Sequence, residues 1–244
     1  TEDFYRMKAV KSEAEIEALK KAAYEYDRLF IAMPLVLRPE RLEKEAVNEL
    51  RQRMMWQGAE SETPGFHTMV GLTSSREGAP SDGESINWPG RRIMDGDRIN
   101  VSVRGYYNNG CAAALGRSFV IGEAAAETRR CWEAAVAAQA KAAELARPGA
   151  TLREISKTVN SYLTELGFVP GESAWIYGIG TSAYEAPRNV DSSADWPLEE
   201  GMVLVIGPEV RPEGQDAFSC MDMFVVRQNG AQRLNHTPPT LREI

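Results

Sequence analysis

The chain has 244 residues, 43% of them hydrophobic, enough for one large domain or two small ones with a real core. A net charge of −7 and a pI near 5.1 exclude a protein that binds nucleic acid through a basic face, and no run of 18 apolar residues offers a membrane span. Thr1-Glu2-Asp3-Phe4 lacks the charged and apolar regions of a signal peptide, and Cys111, Cys131 and Cys220 are widely spaced, without CxxC or partner histidines. Reduced, buried thiols in a cytoplasmic protein are therefore expected.

In chain order, Ile16, Leu19, Ala22, Ala23, Tyr26 and Phe30 form one apolar stripe and predict a helix over 11–33, started by a Ser12/Glu15 capping box. Pro34 and Pro39 break it, and a second amphipathic helix runs from Arg41 through Met55. Residues 60–90 are rich in Gly, Pro, Ser and Glu and read as loop, with one strand at Phe66–Val70. The stretch 96–122 alternates and turns like a β-hairpin. An alanine-rich helix follows over Ala124–Ala146, then a helix capped by Thr151 and Glu154 that runs to Leu166. Gly178-Ile179-Gly180 and Tyr184–Arg188 read as connecting segments, Met202–Ile206 and Met221–Val226 as strands, and the tail after Asn235 as irregular. Met94–Val101 resembles Leu198–Val205, and each copy follows two helices. Two helix–helix–hairpin halves, about 10–122 and 123–235, would form one α+β domain over 1–244 with a pocket between them.

Several segments together resemble the creatinase/methionine aminopeptidase/prolidase family, the pita-bread fold. They are Lys11–Ile16, Arg147–Thr151 with Glu154-Ile155, Gly178–Gly180 with Glu185–Arg188, Glu200–Val203, and Val225–Gly230. The resemblance runs from about residue 7 to 235 and leaves out the N-terminal domain that creatinases and prolidases carry. In this family two aspartates, a histidine and two glutamates hold two divalent ions. Those positions fall here on Ser102, Ala114, Tyr177, Gly207 and Met221, so the resemblance implies that all five ligands are lost and that no metal or other cofactor is held. Creatinase is the metal-free branch, and Ala114-Leu115-Gly116-Arg117 and Arg188 resemble it. Its glutamates, however, fall on Gly116 and Gly207, and the loop around Ser85–Trp88 has no histidine where it has its catalytic one.

Candidate site residues follow from what is left. Tyr177 and Tyr184 stand where the peptidases have histidines and can donate protons, clamp a carbonyl or stack on a planar ligand, or else simply fill the space. His67, one of two histidines with His236, is the natural general base, though a lone histidine is often structural. Arg188 can hold a carboxylate in its fork or pair with Glu185 or Asp191. Ser102, Glu185 and Glu209 complete the expected substrate-binding set, and Asp222 is expected to pair outside the pocket. Two functions are expected: a metal-independent enzyme acting on a small carboxylate-bearing nitrogen compound, or an inert pita-bread module that binds a peptide or protein. The expected partners are a small molecule and a second copy in a homodimer, with neither nucleic acid nor membrane.

Overall fold

The computed structural model describes residues 2–60, 69–76, 91–107, 110–171, 174–212 and 216–244. Helix α1 (Glu2–Ala9), which the sequence pattern did not predict, precedes α2 (Glu13–Ile31). The Ser12 hydroxyl accepts from the Glu15 amide while the Glu15 carboxylate accepts from the Ser12 amide, so the capping box forms as expected. Ile16, Leu19, Ala22, Ala23, Tyr26 and Phe30 are all buried, and Leu29 joins them. Each large side chain in that stripe contributes roughly 1.5–3 kcal/mol on leaving water. A short helix α3 (Met33–Val36) and α4 (Glu43–Trp56) follow.

The expected hairpin is β3 (Asp97–Tyr107) and β4 (Ala112–Val120), paired antiparallel with Ser102 opposite Gly116 and Arg104 opposite Ala114. Two short neighbours, β1 (Ala59–Glu60) and β2 (Met69–Arg76), pair with successive parts of β3. The strand expected at Phe66–Val70 therefore begins, among the described residues, at Met69 and runs six residues past Val70. The hydroxyl-rich Thr73-Ser74-Ser75 hid it in the pattern, yet Ser74 is buried against Glu43, to which its amide and hydroxyl donate.

The second half begins with α5 (Ala126–Leu145) and α6 (Leu152–Glu165), the latter capped by Thr151 and Glu154. A three-stranded sheet has the order β10-β9-β5, from β5 (Val169–Pro170), β9 (Glu209–Arg211) and β10 (Phe218–Ser219). A five-stranded one contains β6 (Ile176–Gly178), β7 (Glu185–Arg188), β8 (Val203–Ile206), β11 (Asp222–Arg227) and β12 (Gly230–Arg233) in the order β12-β11-β8-β6-β7. The segments around Gly178 and Glu185–Arg188, expected as connections, are thus strands. They are too short for a periodic signal: β6 is set by pairing with β8, and β7 by pairing with β6. The tail also departs from expectation: β13 (Arg242–Glu243) pairs parallel to β4.

The two large sheets meet where Gly116 and Met221 exchange both backbone hydrogen bonds, at 2.9 and 3.1 Å. On β8, Val203 and Val205 face the core of the first half, while Leu204 and Ile206 face that of the second. One strand therefore serves both cores. The sequence repeat has a structural counterpart, since Gly96 and Gly201 take left-handed φ of 82° and 89° just before β3 and β8. The architecture is the α+β pita-bread arrangement that the resemblance implies. No described helix is long and apolar enough to cross a membrane.

Candidate active site

Strand alternation on β3 sends Ile99, Val101 and Val103 into the core and leaves Asn100, Ser102 and Arg104 on the other face. Ser102 is exposed there, opposite Gly116 on β4 and Gly71 on β2. At Gly71 an added Cβ would lie 2.7 Å from the Ser102 Oγ, so the glycine makes room for that hydroxyl. A neutral serine on a sheet face, with no base paired to it among the described residues, hydrogen-bonds rather than attacks.

Tyr177 on β6 pairs with Val205 and Arg188 and is 2% exposed. Its ring lies 4.8 Å from that of Tyr184, which is 36% exposed. The Arg188 guanidinium sits 5.1 Å from the Tyr184 ring, and the Arg104 guanidinium 5.3 Å from the Tyr177 ring. The result is a row of cation, ring, ring and cation, Arg188–Tyr184–Tyr177–Arg104. Burial raises the Tyr177 pKa, the Arg104 charge works against that, and Tyr184 adds to it. Tyr177 therefore stays protonated at neutral pH. Its hydroxyl has no hydrogen-bond partner among the described residues, nor has the Arg104 Nε.

A cleft of about 560 Å³ opens onto this row, lined by Tyr5, Lys8, Tyr184, Glu185, Arg188 and Trp196 among others. Arg188 Nε lies 2.5 Å from an Asp191 oxygen, so of the two pairings foreseen for Arg188 the one with Asp191 is made. Glu185 is buried with both oxygens engaged: Lys8 at 2.9 Å and the Ser182 amide at 2.8 Å on one, Lys11 at 3.1 Å on the other. Burial lowers the Lys11 pKa, against the pull of Glu185. Glu209 stands apart on β9, where its carboxylate faces Gly171 and lies 3.7 Å from Arg211. His67 and the Ser85–Trp88 loop lie outside the described residues, and His236 is exposed.

Asp222 points away from this face and pairs with Arg117 at 2.7 Å, while Gln139 donates to it at 2.9 Å. Burial pushes the thiols of Cys131 and Cys220 up to about 11 and about 12, so they are inert as nucleophiles at neutral pH.

On the correspondence drawn from the sequence, the five ligand positions do not fit a divalent ion. Ala114, Gly207 and Met221 bring no oxygen or nitrogen from their side chains, and a phenol and a hydroxyl are left. Met221 occupies the space instead: a Cβ on Gly207 would lie 2.8 Å from the Met221 Cβ, and one on Gly116 3.1 Å from it. Among the described residues, no group of three or more His, Cys, Asp or Glu side chains could hold a metal.

Sequence reasoning missed Arg104 and the two lysines on Glu185. The available signal for Arg104 was its position two residues beyond Ser102 on the same strand face. The lysine contacts to Glu185 span 177 and 174 residues and left no local signal.

The model of metallopeptidase family M24 matches residues 17–228. A probable dipeptidase PepE of Mycobacterium bovis is 27% identical over 245 residues, covering 99% of this chain and 62% of that protein. An Xaa-Pro dipeptidase of Pyrococcus furiosus is 26% identical, covering 95% of this chain and 64% of that protein. The crystal structure of an X-Pro aminopeptidase from Thermotoga maritima superposes with a TM-score of 0.86 at 25% identity, over 100% of this chain and 66% of that one. The chain thus spans less than two thirds of the length of these curated relatives.

Proposed function

Since the chain belongs to metallopeptidase family M24, we propose that it is a hydrolase of C–N bonds, acting without a metal on a small carboxylate-bearing nitrogen compound. The relatives named dipeptidase and Xaa-Pro dipeptidase support the reaction class. The donor-poor ligand positions support metal independence. The observation that carries the reading is the row Arg188–Tyr184–Tyr177–Arg104, which joins proton donors and cations and whose first two members line the cleft.

In such a hydrolysis a water oxygen bonds to the carbon, the C–N bond breaks, and the leaving nitrogen takes up a proton. Tyr177, protonated at neutral pH, is a donor to the developing oxyanion or to the leaving nitrogen. Tyr184 stacks on the substrate at the mouth, and Arg188 holds its carboxylate after exchanging Asp191 for it. His67 is assigned as the base that takes a proton from water. Ser102 and Glu209 are assigned to the outer substrate contacts, while Glu185 holds Lys8 and Lys11 at the cleft wall. A cytoplasmic homodimer completes the proposal.

The test is turnover of guanidino acids and short peptides by chelator-treated protein, with metal analysis alongside. The expected result is turnover unchanged by chelation, with KM raised at least about tenfold in Arg188→Ala. A stoichiometric metal required for turnover would overturn it. One observation favours the second reading, a non-catalytic module that binds a peptide or protein: Met221 fills the space between Gly116 and Gly207. Peptide binding without turnover is its signature.

A further inference from the structure

We infer that Arg104 and the Tyr177 hydroxyl form a second anion subsite, across the two tyrosine rings from Arg188, which takes a carboxylate of a small organic ligand. The inference deepens the functional reading given above and rests on it for the ligand class. The arginines around Arg104 show what is unusual about it. Arg91 pairs with Asp97 at 2.7 Å, Arg117 with Asp222 at 2.7 Å, and Arg98 approaches Asp216 at 3.9 Å. Arg104 is half-buried on the same sheet, yet no carboxylate is given to its guanidinium among the described residues, and its Nε is buried without an acceptor. A guanidinium partly withdrawn from water gains by acquiring an anionic acceptor, and its planar fork suits a carboxylate.

The second observation is independent of the first. Tyr177 is almost wholly buried, its hydroxyl is unpartnered, and burial keeps it protonated. A buried donor without an acceptor is costly unless something comes to fill its place. The Arg104 guanidinium lies 5.3 Å from the centre of the ring that carries this hydroxyl. A single carboxylate accepting from both would satisfy two unpartnered groups at once. Of the residues facing Arg104 across the sheet, Ala114 on β4 adds only a methyl group and Met69 on β2 is exposed and unbranched. Arg188 has Asp191 beside it although its Nε, like that of Arg104, is buried without a hydrogen-bond acceptor, so of the two cations in the row Arg104 is the one with no carboxylate paired to it among the described residues.

The probe is benzoate, with benzamide as its neutral isostere, titrated by calorimetry into the full chain and into Arg104→Gln, Tyr177→Phe and Arg188→Gln. Benzoate is expected to bind at least about tenfold tighter than benzamide, and Arg104→Gln is expected to remove that preference. Tyr177→Phe is expected to weaken benzoate by about three- to tenfold while the melting temperature of the ligand-free protein stays level or rises, because the variant removes an unsatisfied donor. This arm keeps the test decisive if Arg104→Gln fails to fold. Equal binding of benzoate and benzamide, no binding of either, or a preference lost only in Arg188→Gln would overturn the subsite. If Arg104 proves to govern benzoate binding while no C–N compound is turned over, the subsite stands and the hydrolase reading falls.

Discussion

Arg188 is held by a carboxylate that an incoming substrate must displace. Burial works against ionised Asp191, but the Ser193 hydroxyl and amide and the Arg188 guanidinium outweigh it and hold its pKa below the ordinary value. A carboxyl with a lowered folded pKa contributes stability that is fully present above its unfolded pKa and is lost as pH falls through the folded one. The Arg188–Asp191 pair is therefore closed at neutral pH and opens only in acid. Both partners are about a third exposed, so the pair is worth no more than about 1 kcal/mol. Asp191→Asn is expected to lower KM for a carboxylate substrate about two- to fivefold with kcat unchanged, since the competitor is removed and the chemistry is not touched. An unchanged KM would show that Arg188 does not anchor the substrate. Steady-state kinetics at pH 7 settle it.

At the scale of elements, the two capping boxes are local enough to be tested one at a time. Thr151 Oγ1 accepts from the Glu154 amide at 3.2 Å, and α6 buries Leu152, Ile155, Val159 and Leu163 behind that cap. Thr151→Ala is expected to cost about 1 kcal/mol, read from the urea midpoint with an unchanged m-value. Such features were legible because their physics lies within a few residues. The stripe of α2, the caps and the alternation of β3 and β4 can all be read along the chain. The strands β6, β7 and β13 could not, since two to four residues carry no period and their partners lie 7 to 123 residues away in sequence. The helix α1 was hidden by its charged residues, and it leaves Phe4, Tyr5 and Met7 exposed. The site divides the same way. Tyr177, Tyr184 and Arg188 were legible from motif position, whereas Arg104 acquires meaning only when β3 and β6 bring it against Tyr177.

The whole molecule is tied together where its two sheets meet, and one side chain does most of the tying. Arg117 donates to five acceptors: the Gly116, Met221, Thr237 and Pro238 carbonyls and the Asp222 carboxylate. It thereby joins β4 to the residue before β11 and to the chain leading into β13. Asp27 on α2 fixes that same chain from the other side, accepting from the His236 and Thr237 amides and the Thr237 hydroxyl. Removing one member of a buried ion pair leaves its partner uncompensated, which costs about 3–5 kcal/mol. Arg117→Met leaves Asp222 without its countercharge and takes the side-chain donor from the Thr237 and Pro238 carbonyls. Asp222→Asn, in contrast, loses the acceptor that faces Gln139 but keeps one oxygen for Arg117, whose guanidinium also keeps its four carbonyls, and should cost clearly less. Urea unfolding is expected to rank them in that order, and amide exchange in Arg117→Met should rise first over residues 236–244. If exchange instead rises evenly across both sheets, the loss is global and Arg117 does not act as the local fastening between the tail and the junction.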